Sequence, residues 1–476
     1  MFYDEDSKIV VDNIHGDIRL SGAEWKIVNT ASFQRLRRLK QLGLGHLTYP
    51  NATHTRFAHS LGVFGVMQRI LRAPGISLKE EDKADLRLAA LLHDIGHYPY
   101  SHLMERIDRV TLTEEAVNKS PLTGKTSLEA VEKRYPDHEA VGRLILTKQP
   151  DLIKAIGSEE RAHRIGQIFS RTEAANQQLS KLIHSSLDMD RLDYLVRDSQ
   201  ATGVPYGMID LNYLLNNVRI SPNGQVGVNQ KALAAAEHFL IARLFMYRAV
   251  YYHKTTYAFE EACRQLLCRL KKQGAMPIPK NGTEIEEMVS GEKLADFSDA
   301  YVDRLIQEAA SDASSDAVVK ILARCILSRN PPRLLAEVSG LEENRDGAYG
   351  RGTGFKSDCR HHIPEMASKY GVPVGRFLIC GPKPIKIEER SSLFSLKEAR
   401  EIVGKEEREE LIKVFWNGES EPRSMIDIPD SLTKYCSERA YGIHRLYFAP
   451  SDDRDSTLCA DLRKEVQLWD SVAGSN

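Results

Sequence analysis

Apolar residues recur along the chain with two periods, and each period predicts a different kind of element. Between residues 7 and 20 apolar and polar positions alternate around Gly16, which is typical of a short β-hairpin. From Glu24 onward the apolar residues keep to one helical face, which predicts a helix ending at Gly43 and Gly45. The same helical period covers residues 60–71, 82–93, 138–146, 183–195, 231–270 and 296–328.

The pattern changes after Pro331-Pro332, where short apolar runs replace the helical spacing. These runs predict strands at residues 372–379, 384–387 and 444–448. A polar, proline-containing segment at residues 111–137 predicts a flexible insertion between helices.

We therefore expect a mostly α-helical fold in two parts, because 476 residues exceed the size at which one core stops growing. The first part, residues 1–275, is a helical core with a short N-terminal hairpin and a flexible insertion at about 110–137. The second part, residues 276–476, is a smaller helical and α+β region.

Composition narrows the class of protein. Hydrophobic residues make up 42% of the chain and charged residues 28%, and no apolar run has the length of a membrane span. The acidic N-terminus has no signal-peptide pattern and the cysteines form no Cys-x-x-Cys pair, so we expect a cytoplasmic protein with reduced thiols. A net charge of −1 gives no general attraction to polyanions, although a small phosphorylated substrate needs only a local basic pocket.

Candidate metal chemistry centres on an adjacent pair, His93-Asp94, in the histidine-rich segment LLHDIGHYPYSH at residues 91–102. His59 precedes this pair and Asp190 follows it. Two imidazoles and two carboxylates suit Mn, Fe, Zn or Mg, and the ligand types do not choose among them. A divalent metal held there would bind water and lower its pKa for attack on phosphorus.

The order of these four residues resembles the HD metal-dependent phosphohydrolases. Longer phrases resemble the deoxynucleoside triphosphate (dNTP) triphosphohydrolases, a group with the bacterial dGTPases and the animal dNTPase that joins a SAM domain to an HD domain. These phrases are residues 34–43, 49–62, 190–198 and 251–254. The resemblance covers roughly residues 8–270 and implies that a hydroxide held by the metal attacks the α-phosphorus, releasing deoxynucleoside and triphosphate.

The resemblance also implies roles for four further residues near the metal-ligand candidates, His97, His102, Glu105 and His138. These four would surround the bond that breaks. His102 would donate a proton to the 5′ oxygen, with His97 as its rival, because an imidazole can act as a general acid near neutral pH. His138 and Glu105 would orient the proton donor or relay protons to it, although family members often carry Asp at the position of Glu105.

Residues that the resemblance places on the substrate fall into two groups. Those on the triphosphate side are Arg56, Arg191, Tyr194, Arg243 and Lys254, and His253 is a further substrate-binding candidate beside Lys254. Those around the sugar are Gln41, Leu42, Asp198 and Tyr251. Planar, paired guanidinium donors suit phosphate, and Tyr251 would crowd the 2′ position of a ribose. Taken alone, each basic residue is more often a solvated surface charge.

A second nucleotide site is implied less directly. Lys8, Ile9, Gln34 and Arg37 match positions at which the animal enzyme holds an activating guanine nucleotide between subunits, so the resemblance also implies a homo-oligomer, a dimer or tetramer. Asn29 stands where that enzyme has an aspartate, and an amide cannot accept two hydrogen bonds from a guanine edge as a carboxylate does. The phrase from Gln34 to Arg37 fits ordinary helix packing equally well.

Other functions stay open at this point. Another HD phosphohydrolase would act on nucleoside monophosphates, ribonucleotides or a signalling nucleotide, although only Tyr98-Pro99 remains of the Gly-Tyr-Pro phrase of cyclic-dinucleotide hydrolases. A nucleotide sensor or a nucleic-acid binder would prefer a degraded metal set or a basic stripe with interleaved aromatic residues. All four metal-ligand candidates are present, which favours an enzyme over a sensor. The longer phrases favour a dNTP as its substrate.

Overall fold

The structure is a computed structural model that describes residues 6–473, apart from residues 74–75, 77, 108–113, 115–116, 118–133, 171–176, 181, 184–186, 222–224, 275, 344–349, 382–384, 387–411, 418–420, 437–438 and 453–454. The described residues are mostly α-helical, which confirms the predicted fold class. The predicted insertion at about 110–137 lies largely outside the described residues.

Helices and strands are numbered here in chain order. The helices are α1 (Gly22–Val28), α2 (Ala31–Gln34), α3 (Arg56–Ile70), α4 (Glu80–Leu92), α5 (His102–Glu105), α6 (His138–Lys148), α7 (Pro150–Ile156), α8 (Glu159–Ser170), α9 (Gln177–Ser180), α10 (Met189–Thr202), α11 (Leu211–Asn217), α12 (Leu233–Met246), α13 (Lys254–Gln273), α14 (Gly282–Ser290), α15 (Asp299–Ser311), α16 (Ala317–Leu327), α17 (Gly350–Tyr370), α18 (Leu432–Cys436), α19 (Asp455–Val466) and α20 (Asp470–Ala473). The strands are β1 (Lys8–Asp12), β2 (Gly16–Leu20), β3 (Val218–Ile220), β4 (Val226–Asn229), β5 (Arg333–Glu343), β6 (Phe377–Cys380), β7 (Ile385–Lys386), β8 (Lys413–Phe415), β9 (Arg423–Ser424) and β10 (Arg439–Phe448).

The predicted N-terminal hairpin is present, whereas the helix predicted from Glu24 is broken. β1 pairs antiparallel with β2. Ser21 and Glu24 form a reciprocal capping box that begins α1, and the Thr30 hydroxyl accepts a hydrogen bond from the Phe33 backbone N–H at 3.2 Å and begins α2. Two caps so close together outweigh the apolar repeat, and the segment continues as a 3₁₀ turn at Arg35–Arg38.

The main core forms around α3, whose neighbours are α4, α10 and the hairpin. Gly62 of α3 faces α10, and a Cβ atom there would overlap the side chains of Asp193 and Arg197. Glycine therefore sets how closely α3 and α10 approach. Gln68, six residues after Gly62 in α3, donates to the carbonyl of Arg19 in β2 at 2.6 Å. This hydrogen bond links the hairpin to the core.

The long helix predicted for residues 231–270 is two helices, α12 and α13, joined by a π-helical turn at Tyr247–Tyr251. Its wide turn is closed by the Tyr252 backbone N–H, which donates to the carbonyl of Tyr247 at 2.8 Å. The His253 imidazole then accepts from the Thr255 backbone N–H at 3.3 Å and caps α13. π-Helical turns occur often at functional sites.

The C-terminal region contains a sheet in which β10 pairs with β5, β6 and β7, and α17, α19 and α20 pack beside it. The predicted strands at 372–379, 384–387 and 444–448 are found in shortened or extended form, while β5 and α17 were not predicted. A second sheet has the order β3-β4-β8-β9. The main core continues through α14 to α16, so the domain boundary near residue 275 stays a prediction. No helix in the described ranges combines the length and apolar character that crossing a bilayer requires.

Candidate active site

Three helix ends bring the predicted metal ligands together. His59 lies in the first turn of α3, His93 and Asp94 directly follow α4, and Asp190 is the second residue of α10. The Asp188 carboxylate begins α10 by accepting a backbone N–H of its first turn at 2.7 Å. Residues far apart in sequence therefore meet because each is placed where its helix begins or ends.

The four side chains surround one small volume. Nε2 of His59 lies 2.9 Å from Oδ1 of Asp190 and 3.7 Å from Oδ2 of Asp94. Nε2 of His93 lies 3.4 Å from Oδ1 of Asp94 and 3.8 Å from Oδ1 of Asp190. The Asp190 side chain is 38% exposed while the other three are buried, so the volume opens to solvent at the start of α10.

This donor set fits a divalent cation. Nδ1 of His59 lies 2.7 Å from a carboxylate oxygen of Asp193, and Nδ1 of His93 lies 2.9 Å from the carbonyl of Ala90. Both partners only accept hydrogen bonds, so each Nδ1 carries a proton and each Nε2 is the atom that can bind a cation once it carries no proton of its own. Both Nε2 atoms are buried without a hydrogen bond, a condition that a bound cation would relieve.

The charges of the cluster also favour a cation. Burial lowers the pKa of His59, but Asp190 and Asp193 outweigh it and raise that pKa to about 10. Burial raises the pKa of Asp94, but the Arg56 guanidinium and the neighbouring histidines hold it well below its usual range. The cluster therefore keeps its carboxylates ionised and attracts positive charge.

A second cluster of His97, His102, His138 and Glu105 adjoins the first. An Oε2 atom of Glu105 lies 2.7 Å from Nδ1 of His102 and 3.5 Å from Nδ1 of His138, and the His97 ring stacks on His138 with centroids 4.2 Å apart. Nε2 of His97 lies 3.0 Å from Oδ1 of Asp94, so Asp94 links the two clusters. The structure thus brings all eight predicted metal and catalytic side chains together.

Protonation differs among these groups. Burial and the Arg56 charge hold the pKa of His97 well below its usual value, which leaves this ring neutral. Burial lowers the pKa of His138, but Glu105 outweighs it and raises that pKa. Burial raises the pKa of Glu105, but its hydrogen bonds with His102 and His138 outweigh this effect. The net result is a pKa below the usual value, so the carboxylate stays charged.

The turn between the clusters is held by an arginine that the sequence did not single out. Arg35 is fully buried and donates Nε to the carbonyl of Phe297 at 2.8 Å, Nη1 to that of Ile95 at 3.0 Å and Nη2 to that of His97. Burial lowers the pKa of Arg35 to about 9. A surface arginine gives the same sequence pattern, so no signal could have predicted this role.

Further along the turn, Tyr100 and Ser101 have backbone φ angles of 50° and 56°, in the left-handed region that residues other than glycine rarely adopt. The Tyr100 backbone N–H donates to Asp299 at 2.8 Å, and the Ser101 hydroxyl accepts from Nε of Arg56 at 2.9 Å. Arg56 also donates Nη1 to Asp94 at 2.5 Å. Arg56, predicted to hold triphosphate, is therefore engaged with a metal ligand.

Of the predicted sugar-side residues, Asp198 lies on α10, two turns after the metal-ligand candidate Asp190. Asp190, Tyr194 and Asp198 are spaced four residues apart and share one helix face. The hydroxyl of Tyr251 donates to Asp198 at 2.7 Å, and its ring packs edge-on against Tyr194 at a centroid distance of 6.1 Å. Oε1 of Gln41 is buried without a hydrogen bond, and the adjacent Leu42 is partly buried.

The remaining predicted triphosphate residues are dispersed. Arg191 lies on α10 with Nε 3.5 Å from Asp188, and the buried Arg243 guanidinium lies 5.6 Å from the Tyr247 ring centroid. Lys254 lines a separate cavity of about 450 Å³ between α13 and the C-terminal region, together with Arg333 and Arg463. His253, described above as the cap of α13, packs edge-on against Tyr49.

Residues of the predicted second nucleotide site have local partners or lie on the surface. Nε2 of Gln34 donates to the carbonyl of Val28 at 2.7 Å, and its Oε1 accepts from Nε of Arg37 at 2.8 Å. The Arg37 guanidinium also lies 3.5 Å from the centroid of the Phe57 ring. Lys8, Ile9 and Asn29 are exposed. The second nucleotide site stays a prediction.

Comparison with known proteins agrees with this geometry. A family model described as the HD domain matches residues 56–198, which hold all four metal-ligand candidates, and a model described as the HD associated region matches residues 209–308. The chain therefore contains an HD domain at residues 56–198.

Relatives of this HD domain are similar over part of their length. An uncharacterised protein of Methanocaldococcus jannaschii is 36% identical over 254 residues, covering 52% of this chain and 46% of that protein. The bovine deoxynucleoside triphosphate triphosphohydrolase SAMHD1 is 41% identical over 103 residues, covering 21% of this chain and 18% of that protein. The chain spans about half the length of several curated relatives that it matches.

The fold of the HD-domain protein extends beyond the matched domain. A phosphohydrolase from Bacteroides thetaiotaomicron has a TM-score of 0.66 at 22% identity, covering 93% of this chain and 100% of that one. This likeness concerns the fold, and it includes the C-terminal region.

Proposed function

We propose that this protein is a metal-dependent dNTP triphosphohydrolase that converts a dNTP and water to deoxynucleoside and triphosphate. The observation that carries the proposal is the junction at Asp94, where a two-histidine, two-carboxylate set meets a cluster of three histidines. The aromatic pair Tyr194 and Tyr251 beside the metal set supports a deoxyribose in the substrate.

His59, His93, Asp94 and Asp190 would hold the cation. A divalent cation in this set would lower the pKa of a water molecule and offset the charge of the phosphates. Arg56 holds Asp94 in place, and Asp193 holds the ring of His59, so the ligand geometry is fixed before substrate arrives.

His102, Glu105 and His138 would deliver the proton that the leaving 5′ oxygen requires. The His102 side chain is 49% exposed, so it can reach a bound substrate, and its Nδ1 contacts Glu105. Glu105 also contacts His138, whose pKa it raises, so a proton lost from His102 can be replaced from within the protein.

Tyr251 and Asp198 would select the sugar. The Tyr251 hydroxyl donates to Oδ2 of Asp198, and Nε2 of His54 lies 2.7 Å from Oδ1, so the buried carboxylate fixes the phenol ring as a wall beside the sugar. A ribose would bring a second hydroxyl against this wall, so NTPs are expected to be poor substrates. This selection would be steric, because the added 2′-hydroxyl would meet a phenol ring that its bond to Asp198 holds in place.

Product analysis tests the proposal. The purified protein would be incubated with each dNTP and each NTP, singly and mixed, with manganese or magnesium, and the products resolved by ion-pair chromatography. Deoxynucleoside and triphosphate are expected from dNTPs only, and a need for mixed nucleotides would support an activating site.

Asp94→Asn is the matched control, because it keeps the size of the side chain but removes the charge. It should remove turnover while circular dichroism stays that of the wild type. Nucleoside monophosphate as product, or no turnover of any dNTP, would overturn the proposed reaction and redirect attention to monophosphates or signalling nucleotides.

A further inference from the structure

Asp193 is the most heavily bonded carboxylate near the metal set, although it is not itself a predicted ligand. It is fully buried on α10. Its oxygens lie 2.7 Å from Nδ1 of His59 and 2.8 Å from both Nε and Nη2 of Arg197. A fourth group, Nε2 of His15, lies 2.6 Å from Oδ1. The carboxylate behind His59 is thus fixed from three directions.

His15 reaches Asp193 from the turn of the N-terminal hairpin, 178 residues away in sequence. The Asp12 carboxylate shapes this turn by accepting the backbone N–H groups of Ile14 and His15, each at 2.9 Å. Asp12 also pairs with Arg197, with Nη1 at 3.0 Å from Oδ2. Both ends of the hairpin turn are therefore fastened to groups that hold Asp193.

The position of His15 has a free-energy cost that packing alone does not explain. Its side chain is 2% exposed, and its Nδ1 atom is buried without a hydrogen bond. An unsatisfied buried polar atom costs about 1–3 kcal/mol. An apolar side chain would avoid that cost, whereas His15 gives Oδ1 of Asp193 a second hydrogen bond in addition to that from Arg197.

We propose that His15 is a positioning residue of the metal centre, which orients the ligand His59 through Asp193. Two donors on Oδ1 and two on Oδ2 fix the plane of the carboxylate, and that plane sets the direction of the His59 ring. The N-terminal hairpin is then part of the metal centre. This inference rests on the metal site of the proposed function but not on its substrate.

Metal binding without nucleotide tests the inference. Cobalt(II) binding would be followed by its visible absorption and by equilibrium dialysis for the wild type, His15→Ala and His15→Gln. Loss of a group that orients a ligand typically weakens a metal site about 10–100-fold. His15→Ala is expected to weaken Co²⁺ within this range and alter its spectrum, and His15→Gln, which keeps a donor, is expected to recover part of the affinity.

Gln68→Ala is the matched control, because it removes a different anchor of the hairpin, the bond to the Arg19 carbonyl, without touching Asp193. It should lower thermal stability and leave Co²⁺ affinity and spectrum unchanged. Wild-type affinity in His15→Ala, or an equal loss in Gln68→Ala, would overturn the inference. A wild type that binds Co²⁺ but hydrolyses no dNTP would contradict the proposed substrate alone.

Discussion

At the scale of single residues, the buried carboxylates of the site need positive charge nearby. Without a cation, a proton on His59 supplies part of it. The His59 pKa of about 10 means that, without metal, a proton occupies the position where Nε2 would meet a cation. The proton and the metal therefore compete for the same lone pair.

Metal affinity should accordingly rise with pH. Below its pKa His59 is mostly protonated, so each unit of pH increases the fraction ready to bind metal by up to about tenfold. Titration of the metal-free protein with Mn²⁺ at pH 6, 7 and 8 measures this slope. A pH-independent affinity would contradict the competition.

The proton-delivery groups predict a second pH effect. Glu105 raises the pKa of His138, and the protonated form exists below that pKa, so activity should fall as pH rises through it. Glu105→Gln removes the charge and lowers the pKa of His138. The basic limb of the kcat/KM profile should therefore move to lower pH in this variant, and an unmoved limb would exclude the relay.

At the scale of elements, the sequence predicted best where local signals agree. The helical period around His59 and His93 placed both near helix ends, and the metal ligands followed from short phrases. The helix after Glu24 and the stretch at 231–270 were mispredicted as single helices, because caps at Thr30 and His253 break patterns that hydrophobic spacing alone continues.

The approach of α3 to α10 gives a prediction at this scale. Gly62→Ala would push a methyl group into Asp193 and Arg197, which are clamped by other bonds, and such overpacking costs about 1–3 kcal/mol. Urea unfolding should show lower stability, and Co²⁺ binding should weaken with it. On the same helix, a Cβ atom at Gly65 would meet the Ile18 side chain at 3.2 Å and the Cβ atom of His15 at 3.8 Å, contacts that a small shift of Ile18 relieves, so Gly65→Ala should be nearly neutral. Equal effects in the two variants would contradict this packing argument.

At the scale of the whole molecule, the C-terminal sheet holds the turn that follows Tyr251. Arg445 of β10 donates Nη1 to the carbonyl of Tyr252 at 2.6 Å, and the hydroxyl of Tyr447 donates to that of Lys254 at 2.9 Å. Contacts across almost 200 residues leave no trace in local spacing, so the sequence could not predict them.

Arg445→Ala should therefore affect the substrate more than the metal. Loss of the charged hydrogen bonds to Tyr252 and Glu337 costs about 1.5 kcal/mol or more, so KM for the dNTP should rise roughly tenfold or more while Mn²⁺ affinity stays constant. Lys369→Ala, at an exposed ion pair on α17, serves as the comparison and should change neither. Equal losses of substrate and metal binding in Arg445→Ala would contradict this division.

The hydrogen bonds of Arg35 also determine when, during translation, the turn that carries His97 can be fixed. The turn that carries His97 is anchored to Phe297, about 200 residues later in the chain. At typical rates of translation, roughly 5–20 residues per second, the ribosome needs about 10 to 40 seconds to supply that anchor. In the later part of this interval, once Asp190 has been added, the nascent chain holds every metal-ligand candidate but lacks the Phe297 carbonyl that anchors Arg35, so the centre is completed only after residue 297 emerges.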